Sequence, residues 1–138
     1  MVKMFKYHWR ALVWVIIILL GCLLPGDEIS TTASFLSKII PKIEHFIGFE
    51  FDKLVHFCLY LVFTLLLLAG FTRQYSKMKV KAFFFSFLIA VCCGGIIELI
   101  QPLTGRSGDW NDMAANVSGV IAALILFGPT RWILRNIL

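Results

Sequence analysis

Three short stretches of this sequence carry side chains able to move protons, hold cations or grip phosphate. The first contains Asp52, Lys53, His56 and Tyr60. On a helix, positions 52, 56 and 60 share one face, so a carboxylate, an imidazole and a phenol stand in a row. Asp52 beside His56 suits general-base chemistry, the carboxylate orienting the ring. The second is Glu98 with Gln101, where Ile96, Ile97, Leu99 and Ile100 surround the acid. A carboxylate in that setting needs a proton, a cation or a buried partner. The third runs through Arg106, Asp109, Asp112 and Asn116 to Gly119. An arginine there can meet a phosphate, and the carboxylates an amine or a cation. Candidate catalytic residues are therefore His56, Glu98 and Asp52. Candidate ligand-binding residues are Asp52, Lys53, His56, Glu98, Gln101, Arg106, Asp109, Asp112 and Asn116.

Simpler roles exist for several of these residues. Asp109 can cap a helix, and Asp112 in its first turn is favoured by the macrodipole. Asp52 and Lys53 can be interface charges, His56 a structural histidine, and Tyr60 and Trp110 packing or interface residues. Glu98 resists such a role most, because of its apolar neighbours.

The elements that position these groups are set by composition. Of 138 residues, 59% are hydrophobic and 15% charged, more apolar than a soluble domain of this length can bury. The bilayer is the natural solvent. Four apolar runs, about 11–24, 54–71, 82–100 and 113–127, predict an all-α, four-helix transmembrane bundle forming a single domain over 1–138. The first and fourth runs are short and rely on flanking Tyr7, His8, Trp9 and Trp132 at the headgroup level. Between the first two, residues about 31–47 predict an interfacial amphipathic helix. There Phe35, Leu36, Ile39, Ile40, Ile43, Phe46 and Ile47 recur at three- and four-residue steps, Ser30-Thr31-Thr32 offers a cap and Pro41 a bend.

Charge sets the orientation. Lys3, Lys6, Arg10, Arg73, Lys77, Lys79, Lys81, Arg131 and Arg135 fall on one side, predicted cytoplasmic, with both termini. The other side holds Lys38, Lys42, Lys53 and Arg106 with every acid except Glu98. The net charge of +5 is scattered and not interleaved with aromatic residues, which argues against nucleic acid. No A-x-A site follows the first run. Leu19-Leu20-Gly21-Cys22 resembles a lipoprotein cleavage box, with Leu20 a poor fit. Cys22, Cys58, Cys92 and Cys93 lie in apolar runs without C-x-x-C spacing and are expected to be small buried residues.

Topology then joins the three stretches. The second span starts outside, the third ends outside and the fourth starts outside, so their polar ends meet in one layer near the outer headgroups. Small residues at Gly94, Gly95, Ala115, Gly119 and Ala123 permit close backbone approach. Asp52, Glu98, Asp109 and Asp112 face only Lys53 and Arg106, so the layer lacks positive charge. Protonation, a charged His56, a metal ion or an amine headgroup could supply the balance. The spacing matches no recognised metal motif, and no metal is assigned; the cofactor is left unspecified.

At these residues the chain resembles the VanZ-like membrane protein family. The resemblance rests on D-K-x-x-H-F-x-x-Y at Asp52 to Tyr60, on E-x-x-Q at Glu98 to Gln101, and on R-x-x-D-x-x-D-x-x-x-N-x-x-G at Arg106 to Gly119. Pro25 after the first run also fits. The family takes its name from a protein associated with teicoplanin resistance, an activity against a lipid-tailed glycopeptide. The resemblance therefore implies a bacterial cytoplasmic (inner) membrane protein with a site at the outer leaflet. The expected function is binding of an amphiphile, whether a phospholipid, a lipid-linked envelope precursor or a lipoglycopeptide. The alternative is an intramembrane hydrolase or transferase acting on a lipid headgroup. The expected partners are the bilayer and such a lipid.

Overall fold

The computed structural model describes residues 2–23, 41, 50–75, 79–105 and 108–137, with side chains described between 7 and 129. The described residues form four α-helices: α1 (Val2–Leu23), α2 (Phe51–Gln74), α3 (Lys79–Ile100) and α4 (Trp110–Ile137). A 3-10 turn, Gln101–Thr104, follows α3. The all-α bundle expected from the apolar runs is present. The segment 31–47 lies outside the described residues except Pro41, as do Arg106 and Ser107.

Among the described residues, three helical stretches are long and apolar enough to cross a membrane: Phe51–Gln74, Lys79–Thr104 and Trp110–Pro129. At 1.5 Å per residue, 24 residues of α2 reach roughly 36 Å, more than the hydrocarbon thickness. α1 is apolar over the shorter stretch Tyr7–Leu23. Each helix starts before its hydrophobic run, because helical hydrogen bonding continues into the interface where polar side chains can be hydrated. α4 also continues through Pro129, past the expected end at 127.

The outward faces are apolar too. Val80, Ile96, Leu99 and Ile125 are 56–83% exposed, an arrangement stable only if hydrocarbon replaces water. The core is built from Ala11, Ile18 and Cys22 of α1, Tyr60, Phe63 and Leu67 of α2, Ala90 and Ile97 of α3, and Val120 of α4. The cysteine expectation holds for Cys22 alone in full. Cys58 and Cys92 are exposed and Cys93 is half-buried, because an apolar run in a membrane has as much lipid-facing as inward-facing surface.

Helices successive in sequence alternate in direction, and polar contacts fix that weave at both ends. His8 Nε2 lies 3.0 Å from Gln74 Oε1, and its ring packs on Phe71, tying the start of α1 to the end of α2. Midway, the Trp14 indole donates to the Leu59 carbonyl at 2.9 Å. At the other end the Gln101 amide donates to the Cys22 carbonyl at 3.2 Å. Buried Thr64 and Ser86 satisfy their hydroxyls on carbonyls four residues earlier, at 2.8 Å each.

α2 is the central helix, and its closest partner is α4. Gly119 makes that approach possible: a Cβ there would collide with the Phe57 carbonyl and lie 3.1 Å from the Leu61 nitrogen, both backbone atoms of α2. On the same stripe Asp112, Asn116, Gly119 and Ala123, spaced i, i+4, i+7 and i+11, are all buried. Gly119→Ala is expected to destabilise the detergent-solubilised protein by about 1–3 kcal/mol in thermal or denaturant unfolding, through overpacking. Gly128, where an added methyl group would meet nothing within 4 Å, provides the control. Gly128→Ala should stay within about 1 kcal/mol of the parent. Equal effects would contradict the close helix pair.

Candidate functional site

α2 delivers Lys53 and His56 in its first two turns, α3 delivers Glu98 in its last, and α4 delivers Asp112 and Asn116 in its first two. Because α3 runs opposite to the other two, these turns occupy one end of the bundle. His56 is 1%, Asn116 1% and Asp112 5% exposed, so all three depend on protein partners.

The partners form a chain across three helices. His56 Nδ1 lies 3.0 Å from Asn116 Oδ1, and the Asn116 amide nitrogen donates to Glu98 Oε1 at 3.2 Å. An amide oxygen accepts only, so Nδ1 carries the proton. Glu98 Oε1 stands 3.7 Å from the same nitrogen. The other ring nitrogen, Nε2, faces Asp112 Oδ2 at 3.9 Å, beyond hydrogen-bond reach. Around it, one donor atom each from Asp52, His56 and Asp112 lies within 4.8 Å of the others, the trio among the described residues best placed to hold a metal.

Lys53 forms the outer edge. Its ammonium stands 3.6 Å from Asp109 Oδ2 and 3.6 Å from Asp112 Oδ1, and pairs closely with Glu50 one turn earlier. Glu50, Asp109 and Asp112 thus surround Lys53. The sequence places Glu50 only among the general outer charges; its i, i+3 spacing to Lys53 is the signal that could have singled it out.

Asp109 performs the capping role that its position allows. Its Oδ1 accepts the Asn111 backbone N–H at 2.9 Å, its carbonyl accepts from Asp112 and Met113, and its own N–H donates to Glu98 Oε2 at 3.4 Å. The Asn111 backbone N–H, helped by the Asn111 side chain and Lys53, holds its carboxyl below the usual range. Gly108 lets this loop cross Glu98, since a Cβ there would come within 2.7 Å of the Glu98 carbonyl oxygen.

The expected residues are not all placed alike. Lys53, His56, Glu98, Asp109, Asp112 and Asn116 contact one another, and Asp52 stands with His56 and Asp112 at the mouth. Gln101 turns instead to α1, with its oxygen buried and lacking a hydrogen bond. Tyr60 lies deeper, fully buried, its ring against Gly94 and its hydroxyl beside the Cys93 thiol. Two apolar clefts flank the start of α4. One, about 600 Å³, is lined by Lys53, Leu54, Phe57, Asn111, Ala114, Ala115 and Ser118. The other, about 390 Å³, is lined by Gly95, Glu98, Leu99, Pro102, Gly108, Asp109, Trp110 and Met113.

A model of the VanZ/LLP1 family matches residues 7–134, which takes in all four helices and every residue of the cluster. The chain belongs to the VanZ/LLP1 family. No curated protein matches it, and no solved structure does. With the three long apolar helices, membership makes this a multi-pass VanZ-like membrane protein. Within that frame the cluster links family motif positions on α2, α3 and α4 directly: His56 and Asn116 touch, and Asn116 touches Glu98.

Asn116 is the link on which the cluster turns. Asn116→Ala leaves His56 Nδ1 and one Glu98 oxygen without their partner and should cost about 2–4 kcal/mol in unfolding experiments. In a double-mutant cycle with Glu98→Gln, a coupling of roughly 1 kcal/mol is expected. Additive effects within about 0.3 kcal/mol would mean that the two side chains do not interact.

Proposed function

We propose that this VanZ-like protein binds the headgroup of an amphiphile at the outer leaflet of a bacterial cytoplasmic membrane. The supporting observation is the position of the charged edge. Lys53 and Asp109 each line one of two apolar clefts, so a polar head over the cluster would leave its hydrocarbon in the grooves on either side of α4. Lys53, with Arg106 from the adjoining loop, offers cations to a phosphate; the carboxylates offer partners to an amine. A phospholipid or a lipid-linked envelope precursor carries both kinds of group. A lipoglycopeptide carries an amine on a lipid-tailed body, which connects the reading to glycopeptide susceptibility and envelope homeostasis.

The orientation in this reading rests on charge. The end opposite the cluster carries Arg10, Arg73, Lys79 and Lys81, so we place that end, both termini and four spans over a single domain 1–138 according to the positive-inside rule. The segment 31–47 would then act as an interfacial amphipathic helix that gates lateral entry.

A second reading, an intramembrane hydrolase or transferase on a lipid headgroup, draws support from the His56–Asn116–Glu98 chain. A ring whose Nδ1 proton is fixed has its Nε2 lone pair free to act as a base. Purified protein in nanodiscs made from total bacterial lipid, analysed by native mass spectrometry, is expected to retain a defined lipid mass that is lost in His56→Ala and Glu98→Ala. Headgroup release from fluorescent lipid, abolished by the same variants, would move the assignment to the enzyme. Retention of the same lipid by both variants would overturn the cluster as the binding site. For topology, a membrane-impermeant thiol reagent added to intact cells should label Glu50→Cys and spare Lys79→Cys in a background lacking native cysteines. The reverse pattern would invert the orientation.

A further inference from the structure

We propose that Asp52, His56 and Asp112 form a binding site for one divalent first-row transition-metal ion of the manganese-to-zinc series, independent of which amphiphile docks nearby. Three separate observations meet here. The donor atoms of these residues lie within 4.8 Å of one another. Asp112 is 5% exposed, and its Oδ1 is buried without a hydrogen-bond partner. His56 is 1% exposed and has its tautomer fixed from behind, because Asn116 Oδ1 takes the Nδ1 proton at 3.0 Å.

The third observation decides the chemistry. A histidine that ligates through Nε2 characteristically donates its Nδ1 proton to an oxygen, which orients the ring and raises its basicity. Here that oxygen belongs to Asn116, itself anchored on Glu98. The Nε2 lone pair then points toward carboxylate oxygen, with Asp112 Oδ2 at 3.9 Å, too far for a hydrogen bond. Two lone-pair groups facing each other in a low-dielectric setting repel unless a proton or a cation lies between them. Donors on a tetrahedral ion with bonds of about 2.1 Å stand roughly 3.4 Å apart, so a small inward movement of Asp52 and Asp112 would close the site.

Ion class follows from the donors. One imidazole nitrogen with two carboxylate oxygens is poorer in oxygen than calcium or magnesium sites and suits manganese through zinc. Two carboxylates balance a divalent charge. Lys53 stands 3.6 Å from Asp112 Oδ1 but is shared with Glu50 and Asp109, and Asp112 Oδ2, the oxygen that faces His56 Nε2, is left for the ion. Three protein ligands leave a coordination position for water or an anionic oxygen.

The test is metal binding to full-length protein in nanodiscs, stripped with chelator and titrated separately with Zn2+, Mn2+, Ca2+ and Mg2+. Binding is read by calorimetry and by elemental analysis after desalting. One equivalent of Zn2+ or Mn2+ is expected, at least tenfold tighter than Ca2+ or Mg2+. His56→Gln and Asp112→Asn should each weaken it tenfold or more, while Arg73→Gln at the opposite end leaves it unchanged. If a buried variant fails to keep parental helicity, Asp52→Asn at the exposed mouth carries the same prediction. Absence of saturable binding, or binding untouched by both His56→Gln and Asp52→Asn, overturns the site. Native mass spectra of stripped protein separate the two proposals. A retained lipid with no metal uptake defeats the metal site alone, and metal uptake with no lipid defeats the amphiphile reading alone.

Discussion

Hydrocarbon offers no hydrogen bonds, so every polar group buried in this bundle must find its partner within the protein or from a bound ligand. The His56–Asn116–Glu98 chain is where that constraint is most severe, since it joins an imidazole, an amide and a carboxylate from three different helices. If α4 slides by a single turn, about 5.4 Å, both hydrogen bonds are lost at once, and a slide of α2 or α3 breaks one of them. The chain therefore sets the register of α2, α3 and α4 more tightly than apolar packing, which tolerates small slips. Gly119 at the α2–α4 contact and Gly108 over Glu98 supply the short separations that the register demands.

The same constraint separates structure from function within the cluster. His56 Nδ1, the Asn116 amide and one Glu98 oxygen satisfy one another. Beyond them, the Nε2 side of His56 and the Asp112 carboxylate stand 3.9 Å apart, and Asp112 lies 3.6 Å from Lys53. Lys53 and Asp109 at this edge adjoin the apolar clefts. A protein that needed polarity only for register would have little reason to place a surplus of carboxylates at such a mouth, and that surplus is the basis for both a bound cation and a charged headgroup.

Much of this arrangement is legible in the sequence, and for one reason. Periodicity at 3.6 residues puts Asp52, His56 and Tyr60 on one face and Asp112, Asn116 and Gly119 on another, while alternation of direction brings those faces to the same end. Residue-level direction is less legible. Nothing in the sequence says that Gln101 turns to Cys22 while Glu98, three residues earlier, turns to Asn116, since the α-helix gives way to the 3-10 turn only at Gln101 itself. The lipid-facing cysteines, Cys58 and Cys92, are equally hidden, since a helix in hydrocarbon is apolar on both faces and composition cannot mark its inward side. Asp109 caps α4, as its position allows, and also faces Lys53, a pairing that the sequence does not single out.

The central claim, that His56 is held through Nδ1 by Asn116 in a bundle end shared by three helices, is best tested by solid-state NMR in bilayers. A protein retaining His56 as its sole histidine, with labelled imidazole nitrogens and a labelled Asn116 side chain, would report both tautomer and proximity. The structure predicts a protonated Nδ1 dipolar-coupled to the Asn116 side-chain carbonyl, in keeping with the 3.0 Å contact. A ring protonated only at Nε2, or no coupling between the two side chains, would contradict it.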